Sequence, residues 1–365
     1  MMHLHYTGHP LFDVGLAAIT AFVEKDDPAD LTLDDLNKVA DYIETYYTEQ
    51  PLSSFLTVSL MNSDFTQPAF KDNAARKRAY AHRVARSFGP DVPKSEEICV
   101  FTGLPALGLP LSLKEGKDEL PPGRAYRQHI PLITGEGIIN FSSWGDPGLP
   151  VSGEALLCLQ FFPMGCRKCS GRLLAVHSDN SLILLDFARQ ALHENEKAIS
   201  LAKASGETKL PEAPATAQTL LISTLLDLDR EQQQNRREQR EKRQEFKPYS
   251  ITAYHLTNSG QSSPLDEKSP PLKVYHLPLD IIQFLLMFNH PDYQKAWREL
   301  VRSGWELPKQ SKTMGKGEES GIASSYEYRR NYLYEDIFRL PENARSFVRM
   351  YFLRIPKRNS TQVDP

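Results

Sequence analysis

The sequence predicts a helix-rich α+β protein. Its N-terminal region is mixed, with short strands and long loops, then degenerate zinc-ribbon-like knuckles and a helical C-terminal part. Three observations carry this reading. Apolar residues recur at helical spacing near both ends of the chain. Alternating or continuous apolar runs of strand length occur at Leu173–His177, Tyr249–Leu256 and Leu272–Leu277. Pro and Gly crowd the stretch 89–153 between them. The chain has 365 residues, of which 40% are hydrophobic and 24% charged. That is enough for two or three cores and excludes a disordered or collagen-like chain.

In order along the chain, Pro10 opens a helix whose stripe includes Leu11, Val14, Ala18 and Phe22. Thr32 caps a second helix with Asp35 three residues on, a capping-box pattern, and Leu36, Val39, Ala40 and Ile43 form its apolar face. From Glu24 to Glu49 there are nine acidic and two basic residues. The sign then flips, and Lys71–Arg86 holds six basic residues and one acid in a third helix. Short strands are expected at Ile98–Phe101 and Ile130–Ile133. A long helix follows Asp179, and another runs from Gln218 to Phe246 with a charged C-terminal half. Two strands come next, then helices at 278–289 and 290–303, and a helix pair from Tyr328 to Arg354 broken near Pro341. The predicted regions are therefore 1–90 (helical, with the basic helix 71–86), 91–178 (loop-rich, with the cysteine knuckles), 179–247 (long helices) and 248–365 (two strands and C-terminal helices).

Charge and cysteine usage narrow the function. A formal net charge of −3 excludes a uniformly basic nucleic-acid coat, so only patches can serve that role. Four cysteines do not make a disulfide framework in a chain of this size, and a reducing cytoplasm fits better. The N-terminus has no basic region typical of a signal peptide, and no apolar run of about 18 residues predicts a membrane span.

Most catalytic signatures are absent: there is no P-loop, HExxH, GxSxG or dinucleotide fingerprint. Cys166-Arg167-Lys168-Cys169, between Gly165 and Gly171, has the spacing of a zinc knuckle, since two thiolates at that separation can bite one metal ion. Cys99-Val100-Phe101-Thr102-Gly103 looks like a second knuckle with threonine in place of its second cysteine. The candidate zinc set is Cys99, Cys166 and Cys169, with His129 or His177 as a fourth donor; the competing reading is a pair of turns packed without metal. No cofactor is required by any other motif. Cys158 lies in an apolar run and reads as core.

Five segments in order along the chain carry a family resemblance. They are Tyr6-Thr7-Gly8-His9-Pro10 with Asp13-Val14-Gly15; Cys99-Val100-Phe101-Thr102-Gly103; Asn140-Phe141 with Trp144-Gly145-Asp146 and Gly148-Leu149-Pro150; Thr252 to Gly260; and Arg330-Asn331-Tyr332-Leu333-Tyr334-Glu335-Asp336. In these the chain resembles the large subunit of type I CRISPR effector complexes (Cascade), in the type I-B branch whose members carry paired CxxC motifs. Thr102 departs from the paired cysteines of that branch. The resemblance implies a non-catalytic role in antiviral defence: reading a short flanking motif, the PAM, in double-stranded target DNA, helping to open the duplex, and supporting assembly around the guide-RNA handle. It implies as partners the guide RNA, the backbone, handle-binding and small subunits, and a helicase-nuclease or transposition protein.

Residues suited to those tasks can be named. Asn140, Phe141, Ser142, Ser143 and Trp144, with Asn258 and Gln261, are candidates to read or wedge bases, because short polar and aromatic side chains on loops can enter a groove. The alternative is that they cap turns and plug a core. Lys71, Arg76, Lys77, Arg78, Arg83 and Arg86, together with Arg329, Arg330, Arg345 and Arg349, are candidates for the phosphate backbone. Two other function classes compete. One is a metal-dependent nuclease using Cys166, Cys169 and His177. The other is a protein and RNA scaffold using the charged 227–247 helix.

Overall fold

The computed structural model describes residues 4–113, 120–133, 147–238, 249–258, 270–306 and 329–353, without the side chains of 235–238. The helix-rich α+β class is as expected. The chain divides into two compact units, Met1–Ala213 with Tyr249–His276, and Pro214–Pro248 with Leu277–Pro365.

The first unit is built around α1 (Pro10–Phe22), α5 (Gly153–Phe161) and α6 (Ser181–Ser205), with α2 (Leu33–Tyr46), α3 (Leu52–Leu56) and α4 (Ala74–Ala85) packed outside them. α1 lies so close to α5 that it has no room for a side chain at Gly15, and α5 meets the backbone after α4 as closely at Gly153. A Cβ on Gly15 would stand 2.0 Å from the Cys158 carbonyl oxygen, and one on Gly153 would stand 1.4 Å from that of Ser87. All nine residues of α5 are buried. A helix buried on every face shows no helical period, which is why the sequence signals only a core run there. α2 begins with the expected capping box at Thr32 and Asp35. Burial pulls the Asp35 carboxyl up. Lys25 at 2.5 Å, Thr32 and Lys38 outweigh that and hold it well below the usual carboxylate range.

A four-stranded antiparallel sheet lies in the order β5 (Arg167–Cys169), β6 (Arg172–Ser178), β7 (Ile251–Leu256) and β8 (Leu272–Leu277). Leu173, Ala175 and Leu256 turn one face into the core. Two small ribbons complete the unit: β1 (Lys94–Ile98) with β2 (Pro105–Leu107), and β3 (Arg124–Ala125) with β4 (Leu149–Pro150). The strand expected at Ile98–Phe101 is displaced toward the N-terminus, because residues 99–104 close a tight turn through Gly103 N–H to Cys99 O at 3.0 Å. Residues 130–133 form no strand.

The second unit consists of α7 (Ala217–Glu238), α8 (Leu279–Asn289), α9 (Gln294–Gly304), α10 (Tyr332–Ile337) and α11 (Ala344–Val348), the last running into a π-helical turn over Arg349–Leu353. Asn289 donates to Leu226 O at 3.0 Å and Asp229 Oδ2 at 2.6 Å. Asn331 caps α10 and donates to Val301 O. Rings of Phe284, Phe288, Trp297, Phe347 and Phe352 pack together beside them. Among the described residues no helix is long and apolar enough to cross a membrane.

Candidate nucleic-acid interface

The candidate base-reading residues Asn140, Phe141, Ser142, Ser143, Trp144 and Gln261 lie outside the described residues. The backbone from which their two segments depart is described. Before position 134 the chain runs through β3 and the turn 126–130; after 146 it returns through β4, which pairs with β3 in the register Arg124↔Pro150 and Ala125↔Leu149. Gly148 permits this closure. It has φ +75°, and a Cβ there would sit 2.8 Å from the Tyr126 ring. Arg124 adds a bond to Gly148 O and an ion pair with Glu97.

Asn258 then joins the second segment to the first. Its amide donates to Arg127 O at 3.1 Å and to Ser59 O at 3.2 Å, and its backbone N–H donates to Val58 O at 2.7 Å. The side chain is buried. Its role as a direct base reader is therefore corrected: the amide is spent on two carbonyls, and Asn258 holds the backbone at 127 and at 258 together.

The turn at 126–130 is itself rigidly held. His129 is fully buried, its Nδ1 accepts from Tyr126 N–H at 3.1 Å, and Gln160 donates to His129 O at 2.9 Å. Nε2 therefore carries the ring proton. Burial lowers the His129 pKa to about 3, so the ring stays neutral at physiological pH.

The basic helix is corrected more sharply. α4 forms as expected, capped by Asn73. Most of its charge, however, is used inside the protein. Arg76 bonds Asp64 at 2.7 Å and lies 4.0 Å over the Phe70 ring. Lys77 is buried, with Nζ donating to Lys71 O at 3.0 Å. Arg83 donates to Pro110 O at 2.6 Å. Arg86 pairs with Asp41 and with Glu44 at 3.0 Å, and donates to Asn37 at 3.0 Å. The carboxylate of Glu44 and the other acids hold the Arg86 pKa above its ordinary value. Of these, Arg86 pairs with acids of α2, Arg76 with Asp64, and Lys77 and Arg83 with backbone carbonyls, and Lys71 and Arg78 are the α4-region candidates that remain exposed.

In the second unit, Arg330 pairs with Glu335 at 2.5 Å, and Arg329 lies over the Trp305 ring at 5.1 Å. Arg345 and Arg349 are exposed. The sequence reading passed over Lys295 and Arg298, which are exposed one turn apart on α9; their i, i+3 spacing was the available signal.

The zinc set is overturned. Among the described residues no group of three or more His, Cys, Asp or Glu side chains is arranged to hold a metal. Cys99, Cys166 and Cys169 are each buried as free thiols. Cys166 donates to Phe162 O at 3.2 Å, and Cys169 sits 3.6 Å from His255 Nε2, which donates to Cys169 O. Burial raises the Cys166 thiol well above its ordinary pKa and pushes Cys169 up to about 12, so both are protonated here. The CxxC segment is not a knuckle. Ser170 (φ 51°) and Gly171 (φ 71°) make the two-residue turn of the β5–β6 hairpin, with Cys169 opposite Arg172.

One arrangement has no counterpart in the residue-by-residue reading. Asp13 is buried, and its carboxylate accepts from Thr7 N at 2.7 Å, Gly8 N at 2.8 Å and His177 Nε2 at 3.0 Å. His177 is therefore a tether for the N-terminal arm, its Nε2 engaged by Asp13 and not grouped with Cys166 and Cys169. Comparison with protein-family models, with curated proteins and with solved structures returns no match.

Proposed function

We propose that this chain is the non-catalytic large subunit of a guide-RNA-directed type I surveillance complex, reading the PAM in duplex DNA and aiding duplex opening and assembly on the guide-RNA handle. The observation that supports it is the hydrogen bonding of Asn258 to the backbone of the 126–130 turn. The two segments nominated for base contact leave one hydrogen-bonded base, formed by β3, β4, the 126–130 turn and Asn258. Groove-reading loops need such a base, because base contacts discriminate only when held in register. Phosphate contacts in this reading fall to Lys71 and Arg78, which are exposed, and no longer to Arg76, Lys77, Arg83 and Arg86.

The use of Arg76, Lys77, Arg83 and Arg86 in internal contacts favours a second reading, a protein and RNA scaffold that does not contact DNA. One experiment separates the two. The chain is assembled with guide RNA and partner subunits and offered a duplex library with randomised bases beside a fixed target. A short motif that is enriched, and that vanishes when the chain is omitted, is the expected result. Normal assembly with no enriched motif refutes the PAM-reading role and leaves the scaffold. Asn258→Ala is expected to blur the selected motif while assembly persists.

A further inference from the structure

In the second unit Ala344, Arg345, Val348, Arg349 and Leu353 line an open groove on α11 and its π-helical continuation. Ala344 and Val348 are one α-helical turn apart. The wider π turn then brings Leu353, five residues on, into line with them, giving an aliphatic floor three residues long. The floor is open to solvent: Val348 is 43% and Leu353 68% exposed, and Met350 and Phe352 beside them are 46% and 42% exposed. Arg345 and Arg349 stand one turn apart along its rim, both exposed.

We infer that this groove docks an acidic amphipathic helix of another protein, with an aliphatic stripe against Ala344, Val348 and Leu353 and carboxylates one turn apart against Arg345 and Arg349. The floor argues for a helix. Aliphatic residues at one-turn spacing match the stripe of a packed helix, whereas single-stranded nucleic acid takes flat aromatic faces. The rim argues for acid by charge complementarity. Two of the chain's own segments fit poorly. Residues 354–365 carry Arg354, Lys357 and Arg358 against one acid, Asp364, and so have the sign of the rim. The acidic amphipathic helix α2 has already buried Leu36, Val39, Ala40 and Ile43 in the first unit, so that helix is not free to dock from a second copy. The inference stands independently of guide-RNA binding.

The test is fluorescence anisotropy with the full chain and a labelled amphipathic peptide of about 20 residues, long enough to be helical when docked. The peptide carries leucines one turn apart flanked by glutamates. A second peptide has lysines in place of the glutamates, and labelled single-stranded and duplex DNA are run beside them. The glutamate peptide is expected to bind and the lysine peptide not to. Arg345→Glu with Arg349→Glu is expected to weaken binding by about tenfold, the sum of two exposed ion pairs. Val348→Asp, at an exposed position that the fold does not depend on, is expected to weaken it as well. Equal binding of both peptides, no binding, or DNA binding lost with the two arginines while peptide binding persists overturns the inference. So does peptide binding seen only with a chain ending at Leu353, which would make the chain's own tail the occupant.

Discussion

Replacing Asp13 tests a buried carboxylate that accepts four hydrogen bonds in the first unit. Its carboxylate accepts from Thr7 N and Thr7 Oγ1 through one oxygen, and from Gly8 N and His177 Nε2 through the other, at 2.7 to 3.2 Å. Hydrogen bonds to a charged group contribute about 1.5–3 kcal/mol each. Thr7 and Gly8 are exposed and recover water when the carboxylate goes, so the sum is much reduced. Asp13→Ala should cost about 3 kcal/mol. Asp13→Asn keeps an oxygen for Thr7 but turns an N–H toward Gly8 N, and should cost about 2 kcal/mol. With a urea slope near 3 kcal/mol/M, the alanine variant should move the midpoint down by about 1 M. Tryptophan emission mixes the two units, because Trp144 belongs to the first and Trp297 and Trp305 to the second. Far-UV circular dichroism, with hydrogen exchange read on peptides covering α1 and β6, reports the right region. If both variants lose less than about 0.5 kcal/mol, the carboxylate is not the anchor and the reasoning fails.

Two further outcomes follow from the same packing. His129 has its pKa lowered to about 3 by burial, and an unfolded histidine titrates near 6.5, so its contribution to stability is complete above about 6.5 and is lost as pH falls toward 3. Between pH 7 and 5 that is about 2 kcal/mol; His129→Asn, which keeps an acceptor for Tyr126 N–H, should flatten the stability profile by that amount, and an unchanged profile would contradict the buried neutral ring. Arg86→Ala should lower stability by about 1–2 kcal/mol through loss of Asp41, Glu44 and Asn37, yet leave the salt dependence of DNA binding unchanged, since a reduced salt slope would return Arg86 to the phosphate backbone.

How much of this was legible in the sequence depends on the range of the interaction. The boundaries of α1, α2 and β6 follow from Pro10, from Thr32 with Asp35, and from the run Leu173–His177, all local signals that the tertiary structure respects. α5 left no period because every face of it is buried. The positive charge of α4 was visible, but its partners Asp64, Asp41 and Glu44 are brought in by the packing of separate elements, so helix and counter-charge had no common local pattern. The cysteine pair misled for a related reason. A C-x2-C spacing flanked by glycines suits a metal knuckle and a hairpin turn equally, and only the strand pairing of Cys169 with Arg172 decides between them.

The division of the chain also fixes an order of assembly during synthesis. Residues 214–248 belong to the second unit, while β7 and most of β8, needed to finish the sheet of the first, emerge only afterwards. Until residue 256 has left the ribosome, β6 offers an open edge whose Leu173, Leu174, Ala175 and Val176 are all destined for burial. Such an edge invites foreign strands. A nascent chain stalled anywhere in α7 is therefore the form of this protein most exposed to aggregation, and a fragment ending at Ala213 would keep that hazard permanently.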